Sequence, residues 1–136
     1  MSMNIGEAAR QTGISAKMIR YYEDTGLIKP VHRSDSGYRQ YAEKDLHALR
    51  FIRRSRDLGF SIAQIEDLLA LWNDQGRASA DVKQITQQHI EALQHKIQQL
   101  QAMVDTLQHL NRHCSGDQRP DCPILEDLGQ TTHYSG

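Results

Sequence analysis

Over the first seventy positions, apolar residues recur at helical spacing in short bursts, most of them opened by a capping side chain and closed by glycine. Asn4 precedes Ile5, Ala8 and Ala9, with Glu7 three residues on as a capping-box partner, and Thr12-Gly13 ends that segment. Ser15 opens a second helix to about Asp24, with Ile19 and Tyr22 inward and Gly26 as its stop. Two short helices joined by a tight Gly-containing turn fit a helix-turn-helix. Leu27 to Val31 is short and apolar, broken by Pro30. From Arg33 to Tyr41, polar and aromatic arms flank a Ser36-Gly37 turn, which reads as a small hairpin or wing. A third helix is predicted from about Glu43 to Leu58, with Leu46, Leu49 and Ile52 in the core and Gly59 as the stop. Ser61, with Gln64 three residues later, caps a fourth, whose Ile62, Ile65, Leu68, Leu69 and Trp72 point inward. Asn73 to Gly76 then reads as a hinge.

Further on the rhythm changes. Ile90, Leu93, Ile97, Leu100, Val104 and Leu107 follow one another in alternating steps of three and four, the a/d seam of a coiled coil. Gln94, Gln98, Gln99, Gln101 and Gln108 lie between them, so the apolar stripe is narrow. No Pro or Gly interrupts the chain from Arg77 to Cys114, roughly thirty-five residues and on the order of 50 Å of helix. A helix of that length with one stripe, and no second long helix in the chain, is predicted to pair antiparallel with its own copy. The competing arrangement, packing on its own domain, leaves too little chain to cover the stripe.

Charge divides the chain in the same place. Residues 1–60 hold eleven Lys/Arg against seven Asp/Glu, a net +4, whereas residues 61–136 hold five against ten, a net −5. A basic first half on an acidic second half points to a polyanionic partner at one end only. On the second helix, Lys17, Arg20 and Tyr21 sit where a recognition helix presents groups to phosphates and base edges. The wing adds Arg33, Tyr38 and Arg39, residue types suited to phosphate through a forked guanidinium and a phenol. Arg50, Arg53, Arg54 and Arg56 are expected along one basic side of the third helix. No run approaches the ~18 apolar residues of a membrane span, and no signal peptide opens the sequence, so the expected location is cytoplasmic with no membrane partner.

Two cysteines carry the remaining chemistry. Cys114 follows the long helix, and a loop containing Gly116 and Pro120 leads to Cys122. Pro123 at the first helical position and Gly129 past the end define a two-turn helix with Cys122 as its N-cap, at the positive end of the helix dipole. In a reducing compartment such a pair points to metal or redox chemistry more than to a structural bridge, although a reducible disulfide stays open. Thiolates are soft ligands that select Cu(I), Zn(II) and similar ions. A closed zinc site needs about four ligands. The loop offers two sulfurs, with His113 and His133 as the nitrogens in reach of the sequence. An enzyme is not expected: no nucleophile with a base, phosphate loop or HExxH-type motif is present.

Taken in order, Asn4-Ile5-Gly6-Glu7-Ala8-Ala9, Ile19-Arg20-Tyr21-Tyr22-Glu23, Gly26-Leu27-Ile28, Arg33 to Tyr41 and Leu58-Gly59-Phe60-Ser61 resemble the winged-helix domain of MerR-family transcription regulators. The family's DNA-contacting positions fall on Lys17, Arg20, Tyr21, Arg33, Tyr38, Arg39 and Arg56. Ser79-Ala80-Asp81-Val82-Lys83 and Cys114 to Leu128 most resemble the copper-efflux (CueR-like) members. The implied organisation is mainly α. A winged helix-turn-helix DNA-binding domain spans 1–73, with a hinge at 74–78. A long dimerisation helix over 79–113 forms an antiparallel coiled coil. A metal-binding loop with its short helix follows over 114–129, and a flexible tail over 130–136.

In the family, divalent-ion sensors carry a third cysteine at the start of the dimerisation helix, where this chain has Ser79. That departure resembles the monovalent sensors, in which two sulfurs hold the ion nearly linearly in a buried loop. Two thiolates and one monovalent ion leave a net charge of −1, costly to bury without compensation. Lys83 and the long helix's N-terminus, from the other subunit, are the expected compensators. The resemblance thus implies a Cu(I)-responsive activator, accepting Ag(I) or Au(I), that occupies promoter DNA as a homodimer and distorts it for RNA polymerase when metal binds. The competing expectations are a zinc or redox sensor of the same fold, and a cytosolic metal-sequestering protein, which the basic wing argues against.

Overall fold

The computed structural model describes residues 2–117 and 120–130. They form two units that meet in sequence between Lys83 and Gln84. That boundary lies inside the long helix, beyond the hinge expected at 74–78.

In the first unit, α1 (Ile5–Thr12) starts where the Asn4 side chain accepts the Glu7 N–H at 2.8 Å. The expected capping box is only half made. The Glu7 carboxylate accepts from Arg10 and from Gln11 (3.2 Å) rather than returning to the Asn4 amide. Both partners lie one turn along, and the arginine offers a charge-assisted bond that a backbone N–H does not. Gly13 closes the helix at φ +72°, giving its N–H to the Ala9 carbonyl. Ser15 caps α2 (Ala16–Asp24) through the Met18 N–H at 3.2 Å. Ile19, Tyr22 and Glu23 form its buried face.

The hairpin is short. Strands β1 (His32–Arg33) and β2 (Arg39–Gln40) pair antiparallel, with His32 opposite Gln40 and Arg33 opposite Arg39. Gly37 takes φ +87° in the connecting turn, a conformation that a side chain would strain. A backbone bridge from Met3 to Tyr41, with bonds of 2.9 and 2.7 Å, extends the sheet by one position.

Helix α3 (Glu43–Asp57) begins where Asp45 accepts the Ala42 N–H at 2.8 Å. At Ser61 both halves of the capping box form, at 3.2 and 2.8 Å, opening α4 (Ile62–Asn73). The core gathers Ala8, Ile19, Tyr41, Leu46, Leu49, Ile52 and Ile65, all completely buried. Each aliphatic side chain so placed is worth about 1.5–3 kcal/mol over exposure. Tyr41, the largest of them, was expected in a polar arm of the hairpin and is instead a core residue. Trp72, expected to face inward, is 49% exposed and lays its ring against His47 (5.0 Å) and Phe51 (5.6 Å) of α3. It lies in the last turn of α4, where its ring is left half exposed.

Helix α5 (Ser79–Arg112) runs across the unit boundary without interruption. The residues of the seam, Ile90, Leu93, Ile97, Leu100, Val104 and Leu107, are exposed, and Met103 joins them. The buried members of α5 are His89 and Leu110, which the seam did not include. Cys122 precedes α6 (Pro123–Leu128), with Pro123 in the first helical turn. Asp127 of α6 and Asp105, Thr106, His109 and Leu110 of α5 line a recess of about 350 Å³. No helix among the described residues is long and apolar enough to cross a membrane.

Candidate functional site

The second helix and the hairpin place most of the expected DNA-facing groups in solvent. Lys17, Arg20, Tyr21, Arg33 and Tyr38 are all exposed, Tyr38 most strongly at 74%. Lys17 and Arg20 make no ion pair among the described residues. Arg33 gives one N–H to the Gly37 carbonyl across the hairpin at 3.1 Å, and its guanidinium remains exposed.

Arg39 is placed differently. Its Nε donates to Glu23 Oε1 at 2.6 Å, and its Nη2 lies 3.6 Å from Asp24. The other Glu23 oxygen accepts the Val31 N–H at 2.8 Å. Burial on its own would raise the Glu23 pKa. The Arg39 hydrogen bond, the Val31 amide and the charges of Arg39 and Arg33 outweigh it and hold the carboxyl below its ordinary value. Glu23 was not among the expected site residues. Its signal was its place four residues after Ile19, on the inward face of α2 beside Tyr22.

The arginines of α3 fall on one broad side, residues 50, 53, 54 and 56 spanning roughly 160° of the helix circumference. Arg50 pairs with Glu43 at 3.2 Å. Arg53 donates to the Gly13 carbonyl and lies 3.9 Å from Asp57. Arg56, an expected DNA contact, gives an N–H to the Phe60 carbonyl at 3.2 Å and is otherwise exposed. These are pairs within the helix, a tertiary contact and a helix-end contact, which charge counting along the sequence does not reveal.

In the second unit, Cys114 and Cys122 are both free thiols and half-buried. The loop leaves α5 through the Cys114 N–H to Asn111 carbonyl bond (3.3 Å) and turns at Gly116, φ +70°. The Cys122 carbonyl accepts the Glu126 N–H at 3.1 Å, starting α6 on the cysteine itself. His113 turns Nδ1 toward the His109 carbonyl at 2.9 Å, with the two imidazoles 4.4 Å apart, and His133 lies outside the described residues. The described residues bring together no set of three or more His, Cys, Asp or Glu ligands. Two half-buried thiols are soft donors for an ion such as Cu(I) or Zn(II). Ser79 and Lys83 belong to the other unit, both exposed, at the start of α5.

Residues 3–72 match the profile described as MerR HTH family regulatory protein, and residues 46–110 that described as MerR, DNA binding. A heavy metal-dependent transcription regulator of Rhizobium meliloti is 58% identical over 126 residues, covering 93% of this chain and 86% of that protein. The HTH-type transcriptional regulator CueR of Salmonella typhimurium is 41% identical over 132 residues, 97% of this chain and 96% of its own length. Among solved structures, the regulator PbrR691 from Ralstonia metallidurans in complex with lead(II) superposes with a TM-score of 0.82 at 31% identity, over 93% of this chain and 98% of that one.

Proposed function

The chain belongs to the MerR family of helix-turn-helix regulatory proteins, and we propose that it is a copper(I)-responsive transcription activator that also answers to Ag(I) or Au(I). The observation that carries this reading is the donor set of the loop, two free half-buried thiols with no third ligand among the described residues. The names borne by similar proteins, a heavy metal-dependent regulator and CueR, support a metal effector.

In this reading Cys114 and Cys122 hold the ion as thiolates, and Ser79, a hard hydroxyl, leaves the site without a third soft donor. Lys83 offsets the residual negative charge. The protein acts in the cytoplasm as a homodimer joined through the exposed α5 stripe, with Lys17, Arg20, Tyr21, Arg33 and Tyr38 facing promoter DNA. The bound ion supplies a differential affinity for one of two protein states, and that state bends and untwists the DNA for RNA polymerase. A second reading is a zinc or other divalent-ion sensor, favoured by the lead(II) complex of a similar structure. It needs a donor that Ser79 does not provide. A redox sensor would use the same two thiols without metal, and a sequestering protein would leave the exposed cations of α2 and the hairpin without a role.

The test is transcription from the cognate promoter with Cu(I), Ag(I), Zn(II) and Hg(II) compared side by side. Activation by Cu(I) and Ag(I) is expected. A response to Zn(II) alone would replace this reading with the second.

A further inference from the structure

In the hairpin register Arg33 stands directly opposite Arg39. Like charges facing each other across an antiparallel pair are destabilising, so one of them requires neutralisation. The structure assigns it to Arg39, whose Nε meets Glu23 at 2.6 Å while Nη2 approaches Asp24 at 3.6 Å. Its side chain is 21% exposed against 7% for that of Glu23. Both Glu23 oxygens are in use, one by Arg39 of β2 and the other by the Val31 amide just before β1. A single carboxylate on α2 therefore grips both arms of the hairpin.

We infer that Glu23 and Arg39 are a positioning pair that fixes the wing against the recognition helix, and that Arg33 rather than Arg39 supplies the arginine contact to phosphate. The inference rests on the DNA-binding reading above. With Nε committed to Glu23, the Arg39 guanidinium is held at the junction of α2 and the hairpin, and swinging it out to a phosphate would break one side of a buried pair, which is strongly unfavourable. Arg33 bears no such cost, since its bond is to a carbonyl on an exposed turn.

The two roles separate in the salt dependence of binding. Each phosphate neutralised contributes about 0.9 to the slope of log K against log salt, whereas a residue that only positions the wing contributes nothing to it. The experiment is fluorescence anisotropy of the full-length protein on its promoter duplex across a salt series, with Arg33→Met, Arg39→Met, Glu23→Gln and the Glu23→Gln/Arg39→Met pair. Arg33→Met should shrink the slope by about 0.9 for each phosphate that Arg33 neutralises. Arg39→Met and Glu23→Gln should each weaken binding roughly tenfold with the slope unchanged, as expected for removing one charge-assisted bond. The double variant should be no weaker than the weaker single one, because both remove the same interaction. A slope in Arg39→Met reduced as in Arg33→Met overturns the inference, as do additive effects in the double variant. Should Glu23→Gln fail to fold by circular dichroism, the Arg39→Met slope decides alone. Failure of the wild type to bind the duplex would overturn the DNA-binding reading itself, a result distinct from any change in slope.

Discussion

The Arg53 guanidinium donates to the carbonyl of Gly13, so a residue of α3 closes the turn between α1 and α2. Gly13 is doubly constrained there. Its φ of +72° disfavours any side chain, and a Cβ would collide with that same guanidinium. The helix-turn-helix angle is therefore held by a contact between residues far apart in sequence.

Gly13→Ala should destabilise the protein by about 1–2 kcal/mol from the left-handed backbone alone, with the displaced arginine adding to it. Arg53→Met should cost about 1 kcal/mol by removing one hydrogen bond. In the Arg53→Met background, Gly13→Ala should cost less than in the wild type, because the collision is relieved. Urea unfolding of the four proteins at one fixed concentration measures this. Strictly additive effects would show that the two residues do not share the contact.

Tyr41 is completely buried, and its hydroxyl has no hydrogen-bond partner among the described residues. Burial, aided by the charge of Glu23, pushes the phenol above its ordinary value of 10.0, against the nearby arginines. Tyr41→Phe removes an unsatisfied polar group without opening a large cavity and should stabilise the fold by ~1 kcal/mol. The pH sign follows from the raised value. The unfolded chain releases the proton first, so the contribution of Tyr41 is intact below about pH 10 and is lost as pH rises further. Melting temperatures at neutral and alkaline pH should show the variant gaining more on the alkaline side. A variant less stable than wild type at neutral pH would mean that the hydroxyl has a partner after all.

Local signals carried much of the fold. Asn4, Ser15 and Ser61 each cap the helix that their spacing announced, and Gly13 ends α1 as expected, because a cap is settled by residues three or four apart. What the sequence hid depends on partners far along the chain. Arg39 was expected to contact DNA and Arg53 to lie along a basic side, and composition does not reveal that they meet Glu23 and Gly13. Tyr41 read as a surface aromatic because its alternation with Gln40 is that of any hairpin arm, and only the fold buries it. The two cysteines were legible by residue type, and a donor from a second subunit lies beyond what one chain's pattern can show.

The α5 stripe leaves Ile97 at 63% and Leu107 at 56% exposure in the single chain. A continuous apolar stripe of this kind marks an interface. Replacing Leu93 and Leu100 together by Asp should yield monomers and abolish operator binding, because two half-sites are then no longer read by one molecule. Sedimentation equilibrium at micromolar protein measures the first effect. A wild type that sediments as a monomer at that concentration would refute the antiparallel pairing.

In the proposed reading metal selectivity turns on Ser79. In that reading Cys114 and Cys122, both free thiols, hold a two-coordinate monovalent ion, whereas a divalent ion requires further donors. On the proposal, the Ser79 hydroxyl is too hard a group to recruit zinc or mercury, and a thiolate at that position would open the site. Ser79→Cys should therefore extend the response to Hg(II), while Cys114→Ser and Cys122→Ser should each lose the Cu(I) response. Both cysteines belong to a unit separate from α2 and the hairpin, so these variants should still bind operator DNA. Transcription by the four proteins, each with Cu(I) and Hg(II), reads the metal responses, and anisotropy on the operator duplex reads the binding. A Cys114→Ser protein that still answers to Cu(I) would end the two-sulfur site. A Ser79→Cys protein with unchanged selectivity would remove only the role given to Ser79. Charge would then be left to discriminate, since two thiolates with a divalent ion form a neutral centre and with a monovalent ion an anionic one. In that event Lys83→Met should weaken the Cu(I) response and spare any response to Hg(II), because only the anionic centre draws on the ammonium.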